Sequence, residues 1–235
     1  MGGKEVAGKM EFNQDIATEY DKGVRRTLPT YDPMLRLSQT FLRNALNEQA
    51  EVLVVGCGGG NELKAFGVPN QGWRFTAVDP AKAMLEAAKV KAAHAGIEDR
   101  IEWVNGTVMD VPTEKRFDGA TCILVLHFVP EIEEKKALLM KIRSHLDSGA
   151  PFVLVSKFGD PDDPEFKELV ALWKNYWLDM TNLPEQKVEE LMKGTLTESS
   201  ISEAQIRQLL KESGFHRIAN FFKTNHFGGW ICYAA

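Results

Sequence analysis

Five apolar runs recur along the chain: 51-EVLVVG, 74-RFTAVD, 101-IEWVNG, 119-GATCILVL and 151-PFVLVSKF. Between them lie stretches of helical character, 60-GNELKAFG, 80-PAKAMLEAAKVKAAHAG and 131-EIEEKKALLMKIRSHLD. Strands that alternate with helices imply βαβ units, and these imply a parallel sheet with helices on both faces. The near-continuous apolar character of the runs fits strands buried from both sides.

Two departures frame this rhythm. Ahead of the first run, 12-FNQDIATEYDKGVRRTL-28 and 34-MLRLSQTFLRNAL-46 carry apolar residues at helical spacing, with a turn at Pro29–Pro33. The opening MGGKEVAGKM reads as a frayed tail. After the fifth run, residues 163–195 form a Trp/Tyr-rich helical insert that includes 165-EFKELVALWKNYWLDM-180. The alternation resumes with 202-SEAQIRQLLKESGF-215, where Ser202 is placed to cap a helix. Two more strands follow, 215-FHRIANFFKT and 228-GGWICYAA. In the middle helix Asp79 is the predicted N-cap, Pro80 the first helical residue and Gly96 the stop.

A chain of 235 residues, 44% of them hydrophobic, can bury one core with a modest appendage. The net charge of -5 and the absence of a basic stripe interleaved with aromatics argue against binding a nucleic-acid backbone. Cys57, Cys122 and Cys232 are scattered, with no C-x-x-C pair, which points to a reducing compartment and away from a zinc cluster. No apolar run reaches the ~18–20 residues of a membrane span, and no secretory h-region is visible. These features predict a soluble cytoplasmic protein without a metal centre.

The first run enters a glycine knot, 56-GCGGG-60. Glycines between a strand and a helix let backbone N–H groups approach a ligand closely. The dinucleotide pattern G-x-G-x-x-G fails because Asn61 holds its third place, and no Gly-Lys-Ser/Thr of a P-loop follows. What remains is G-x-G-x-G, from Gly56, Gly58 and Gly60. The second run ends in Asp79, 23 residues after Gly56, where a carboxylate at a strand's carboxyl end can accept both hydroxyls of a ribose. Capping the next helix is the plainer role for the same residue, and the two are compatible.

Taken in order, 51-EVLVVGCGGG, 74-RFTAVDPAKAMLEAAK, 103-WVNGTVMDVP, 116-RFDGATCILVLHFV, 146-LDSGAPFVLVSKF and 205-QIRQLLKESGF resemble the class I S-adenosylmethionine-dependent methyltransferases over about three quarters of the chain. The resemblance implies an α/β, Rossmann-like sheet of seven mostly parallel strands, the last antiparallel, with helices on both faces. It implies one domain: an N-terminal helical arm over 1–48, a cofactor-binding core over 49–160, a helical cap insert over 161–200, and the last helix and strands over 201–235. Within the superfamily, 25-RRTLPTY-31, 137-ALLMKIRSHLDSGAPFVLVSKF-158 and 185-EQKVEELMKGTLTESS-200 are most similar to the carboxy-S-adenosylmethionine synthases of tRNA wobble-uridine modification.

Carried over residue by residue, the resemblance places Gly56, Cys57 and Gly58 at the methionine end of S-adenosylmethionine, with Gly60 in the same cofactor-binding loop, and Asp79 at its ribose. Pro80 and Met84 would pack near the adenine, with Thr107 and Val108 at its edge. Ile123 and Leu124 would lie beneath the sulfonium, and Tyr31 would touch the cofactor from the arm. Four positions depart from the pattern. Val54 stands where many members carry Asp, and Thr107 replaces a frequent adenine-binding acid. Val188 follows the pair Gln186–Lys187 where the synthases have an arginine for the added carboxylate, and Ile123 matches their asparagine. A buried carboxylate without a cation is costly, so these departures favour methyl transfer to a small organic acceptor over carboxyl transfer. A carboxy-S-adenosylmethionine synthase-like enzyme and a non-catalytic cofactor-binding protein are the alternatives, and the resemblance also implies a homodimer.

Methyl transfer from a sulfonium is an in-line displacement in which orientation can supply much of the catalysis, so a base is needed only if the acceptor must lose a proton. His127, just past the fourth run, is the candidate base; its plainer role is a hydrogen bond within its loop. His226, Lys157 and the pair Arg25–Arg26 are weaker candidates, each with a structural or solvated alternative. Phe166, Trp173, Tyr176 and Trp177 fall at helical spacing and read first as packing of cap on core, or else as an apolar roof over an acceptor. The run Glu131–Lys136 reads as a solvated helix face.

Overall fold

The structure, a computed structural model, describes residues 14–196 and 200–235. The opening MGGKEVAGKM, the first residues of the 12–28 stretch and residues 197–199 lie outside the described residues. Two helices come first, α1 (Gln14–Thr27) and α2 (Tyr31–Ala45). Strands and helices then alternate: β1 (Ala50–Val55), α3 (Asn61–Gly67), β2 (Trp73–Asp79), α4 (Lys82–His94), β3 (Ile101–Asn105), β4 (Gly119–Ile123), α5 (Ile132–Ser144) and β5 (Pro151–Lys157). The insert is a pair of helices, α6 (Pro164–Met180) and α7 (Glu185–Leu196). The chain closes with α8 (Glu203–Glu212), β6 (Phe215–Thr224) and β7 (Phe227–Ala234).

The sheet order is β3-β2-β1-β4-β5-β7-β6. The first five strands are parallel, and β7 runs antiparallel between β5 and β6. This is the Rossmann-like, seven-stranded, mostly parallel sheet that the sequence implied. Strand order reverses between β1 and β4, and such a switch point opens a crevice at the strands' carboxyl ends.

Both faces of the sheet are core, as the continuous apolar runs require. In β1, Val52 and Val54 join one cluster with Leu42 of α2, Leu63 and Phe66 of α3 and Leu85 of α4. Leu53 and Val55 point the other way, to Leu139 and Ile142 of α5 and Ile206 and Leu210 of α8. The cap joins the first cluster through Trp173 of α6 and Val188 and Met192 of α7.

Local signals in the sequence hold at several element ends. The N–H groups of Gly96 and Ile97 bond the carbonyls of Ala93 and Ala92, and Gly96 takes φ +65°, which ends α4 in a Schellman turn. Ser202 and Gln205 form a reciprocal capping box at α8.

Four expectations are corrected. Helix α4 starts at Lys82 with Ala81 at its N-cap, two residues later than predicted, because the Asp79 side chain bends back to the Ala81 N–H and Pro80 stays outside the helix. The fourth strand ends at Ile123: Leu124 adopts φ +60°, and 126–128 turn into a short 3-10 helix. The turn between α1 and α2 spans only 28–30, and Pro33 sits inside the first turn of α2, where its missing N–H costs nothing. Glu131–Lys136 is not uniformly solvated, because Lys135 is buried and donates to the carbonyls of Leu126 and Val129.

Candidate functional site

The crevice at the switch point is built around the glycine loop. Gly56, Gly58 and Gly60 all take positive φ, at +70°, +50° and +80°. A Cβ on Gly56 would meet Val125 at 2.2 Å, and one on Gly60 would meet the backbone of Ala88 at 3.0 Å. These glycines therefore serve close approach as well as the turn. The N–H groups of Gly56 and Cys57 both bond the Val78 carbonyl, at 2.8 and 3.0 Å, which holds the loop against the end of β2.

Asp79 completes that joint. Its Oδ2 accepts the Gly58 N–H and its Oδ1 the Ala81 N–H, each at 2.9 Å. The residue is 8% exposed. Burial raises its carboxyl above the usual range, while the two donated hydrogen bonds hold it down. A carboxylate oxygen accepts two hydrogen bonds, so each keeps a lone pair for a further donor.

The other predicted residues are distributed around this joint. Met84 is buried and reaches toward Gly59, whereas Pro80 is exposed. Thr107 is exposed and committed locally: it caps the 108–110 turn, accepts the Met109 N–H, and its N–H and hydroxyl both donate to Asp110 Oδ2. The acid absent at 107 thus stands three residues on. The Val108 side chain faces the core, which leaves only its backbone for the crevice. Ile123 and Leu124 are buried at the end of β4, where the Leu124 N–H bonds the Val155 carbonyl at 2.7 Å. Tyr31 is buried at the first turn of α2, under the Arg25 guanidinium at 5.3 Å. Arg25 itself is held by Asp32 at 2.8 Å.

A second group lies at the tips of β5 and β7. Lys157 is 7% exposed, and burial pulls its ammonium down to about 7. It is a core residue rather than the solvated lysine of the plainer alternative, with its ammonium 4.9 Å from the Trp173 ring centroid and 5.8 Å from that of Phe227. His127 Nδ1 accepts the Lys157 N–H at 3.4 Å and lies the same distance from the Ser156 hydroxyl. Burial and the nearby lysines hold His127 well below the ordinary histidine range. Its Nδ1 lone pair is therefore turned to the main chain.

His226, 1% exposed, has the opposite tautomer. Asn225 Nδ2 donates to the Leu169 carbonyl, which leaves its Oδ1 to accept from His226 Nδ1 at 2.7 Å. The proton is then on Nδ1, and Nε2 is a bare lone pair, buried without a hydrogen-bond partner among the described residues. Burial, then Lys157, lower this imidazole to about 3. The Trp173 ring centroid lies 4.7 Å from that of His226 and 5.0 Å from that of Trp177, and the Trp177 Nε1 donor is likewise buried and without a partner among the described residues. The aromatic insert thus packs cap on core, and Trp173 Nε1 also donates to the Thr27 carbonyl at 2.7 Å.

Several features carried no signal in sequence. Lys91 on α4 pairs with Asp21 of α1 and donates to Asn61 Oδ1 at 2.6 Å, which closes the arm over the outer flank of the loop at Gly59. A cleft of about 440 Å³ runs along this flank, between Asp21, Arg25, Arg36, Asn61, Lys64 and Lys91. Another, of about 320 Å³, lies at the amino ends of β1, β2 and β3 beside Arg74 and Arg100, away from the strand ends that gather the site. Glu62, at the start of α3, is buried at 5% exposure although a first-turn glutamate ordinarily reads as solvated. Among the described residues there is no cluster of three or more His, Cys, Asp or Glu arranged for a metal, and no helix long and apolar enough to cross a membrane.

Comparison with known proteins agrees with this geometry. Residues 52–149 match the family described as a methyltransferase domain. The chain is 25% identical to the carboxy-S-adenosyl-L-methionine synthase of Campylobacter hominis over 97% of this chain and 95% of that protein. It is 23% identical to the protein of the same name from Nautilia profundicola, over 98% and 97%. Among solved structures, one titled as a possible S-adenosylmethionine-dependent methyltransferase from Methanococcus maripaludis matches with a TM-score of 0.66 at 18% identity, over 99% of this chain and 98% of that one. One titled as a possible O-methyltransferase from Nostoc punctiforme matches with a TM-score of 0.68 at 16% identity, and this chain spans 59% of its length.

Proposed function

We infer that this chain, which belongs to the class I S-adenosylmethionine-dependent methyltransferase superfamily, is an enzyme that transfers the methyl group of S-adenosylmethionine to a small organic acceptor. The observation that carries this reading is the Asp79 carboxylate. It locks the glycine loop through Gly58 and α4 through Ala81 while keeping a lone pair on each oxygen for a ribose hydroxyl. The cradle fits a nucleoside, since Gly56 and Gly58 lie beside that carboxylate. Ile123 and Leu124 supply an apolar floor at the end of β4.

The bound cofactor supplies an activated methyl group on a sulfonium. The protein's part is then orientation and exclusion of water. At the acceptor end, the rings of Trp177 and His226 both pack against Trp173, and Trp177 Nε1, a donor, and His226 Nε2, an acceptor, have no hydrogen-bond partner among the described residues. A hydroxyl or amine has the chemistry to meet either group, since it both donates and accepts. A nitrogen held near pH 3 is a weak base, so His226 orients such an acceptor and draws on its proton only as charge develops. His127, with its lone pair on the main chain, fits a structural role.

The relatives named carboxy-S-adenosyl-L-methionine synthase favour a second reading, in which the enzyme makes that carboxylated cofactor. Against it, Val188 is 0% exposed and packed in the core, and Ile123 is buried in the same cluster, so neither position offers a carboxylate a polar contact. Mass spectrometry of the small molecule released from purified protein tests the choice. S-adenosylmethionine or its demethylated product supports methyl transfer, and a carboxylated species overturns it. A panel of small hydroxyl and amine acceptors then tests turnover. A homodimer and a reducing, cytoplasmic setting belong to the same reading, consistent with three buried free cysteines.

A further inference from the structure

The acid that many relatives of this fold carry near the end of the first strand is missing here, and the structure shows what stands beside the gap. Val54 is fully buried, with Thr121 of β4 as its register partner on one side and Ala77 of β2 on the other. The Thr121 hydroxyl does not face an apolar wall. It donates to Glu62 Oε1 at 2.5 Å. A carboxyl group has therefore been brought next to Val54 from the first turn of α3 instead of from β1 itself. Burial raises the thiols of Cys57 in the glycine loop and Cys122 of β4, and the Glu62 carboxyl lies close enough to both to add to that rise, after Asp79 in the case of Cys57.

Packing alone does not explain this residue. Its neighbours Leu63 and Phe66 on α3 and Val54 on β1 are fully buried apolar side chains. Burial pushes the Glu62 carboxyl up to about 8, and the Thr121 hydrogen bond only partly offsets that. Oε1 has its partner, and Oε2, which makes no hydrogen bond among the described residues, is not fully enclosed. A leucine or methionine there would cost nothing in desolvation, and replacing a buried ionisable group with an apolar one is often neutral or stabilising. A largely buried carboxyl with one oxygen still open, two residues past the loop glycines, is what a site for a positive group looks like.

We infer that Glu62 supplies, from α3, the acidic group under the glycine loop that Val54 denies to β1, and that it holds the cationic amino-acid end of the bound cofactor. This rests on the S-adenosylmethionine reading of the crevice. Glu62 is a binding residue and takes no part in the chemical step. The cofactor's α-ammonium draws the carboxyl to its ionised form, which Thr121 stabilises through its hydrogen bond. At neutral pH a proton then leaves as the ligand enters.

The test compares two neutral-sulfur ligands by titration calorimetry. S-adenosylhomocysteine has the amino-acid end, whereas 5′-methylthioadenosine has the same nucleoside thioether without it. Wild type, Glu62→Gln and Glu62→Leu are titrated with each; the glutamine keeps an acceptor for Thr121 and guards against a folding defect. Both variants are expected to lose roughly tenfold or more in affinity for S-adenosylhomocysteine, as for a hydrogen bond to a charged group. Affinity for 5′-methylthioadenosine should stay within about twofold. Equal losses for the two ligands, or no loss for either, overturn the inference. If wild type binds neither ligand, the cofactor reading itself falls, a result distinct from any pattern among the variants.

Discussion

The ammonium of Lys157 stands 4.9 Å from the ring centroid of Trp173, so the tip of β5 and the cap helix α6 share one buried cation–π contact. Burial depresses this lysine to about 7 in the folded protein, against an unfolded value near 10.4. Between those values the unfolded chain binds more protons, so stability rises with pH across the window and the penalty is complete below it. Relative to Lys157→Met, wild type should gain about 1–3 kcal/mol from pH 7 to pH 9.5. Urea denaturation at the two pH values measures this; parallel behaviour would show that the lysine is solvated.

Asp79 joins the loop to α4 and is the proposed ribose ligand. Asp79→Ala should weaken S-adenosylhomocysteine binding by about 1–3 kcal/mol, the range for leaving polar partners unmet. Asp79→Asn, which keeps one acceptor, should fall between. Calorimetry reads both, and an unchanged affinity in Asp79→Ala would place the ribose elsewhere.

Gly59 and Gly60 are neighbours with different constraints. Gly60 has φ +80° and an Ala88 contact at 3.0 Å for any added Cβ, whereas the nearest atom to one on Gly59 is 3.7 Å away. Gly60→Ala should cost about 1–2 kcal/mol from backbone strain alone. Gly59→Ala should stay within about 0.5 kcal/mol, as unremarkable substitutions do. Thermal denaturation of the pair decides, and equal costs would contradict the loop geometry.

Trp173 ties cap to arm through its indole N–H on the Thr27 carbonyl. Trp173→Phe keeps the ring and loses that bond, and should cost about 1 kcal/mol. Limited proteolysis should then cut the arm sooner than in wild type. An unchanged cleavage rate would mean that the arm is held by other contacts.

The sheet was legible because its signal is repetitive: five apolar runs, each fitting one buried strand, with turn residues between them. Gly96 and Ser202 were legible for a local reason, since each acts on its own helix end. What the sequence hid depends on tertiary position. Glu62 and Lys135 look like solvated helix charges until the sheet and the 126–128 turn close over them. The tautomers of His127 and His226 follow from a backbone N–H and from an asparagine amide, neither of which a pattern of residue types reveals. The end of the fourth strand was misplaced for a similar reason: Leu124 belongs by composition to an apolar run, yet β5 holds it in a left-handed conformation.

The arm's contacts also bear on the order in which the chain can assemble. Asp21 meets Lys91, Thr27 meets Trp173, and the Thr30 hydroxyl meets that of Thr224 at 3.0 Å, a separation of 194 residues. Synthesis proceeds from the amino end, so α1 and the turn to α2 emerge long before their partners exist. Closing such distant contacts is slow, because loop entropy is lost before any contact is gained. The arm is thus made well before the last surface on which it docks.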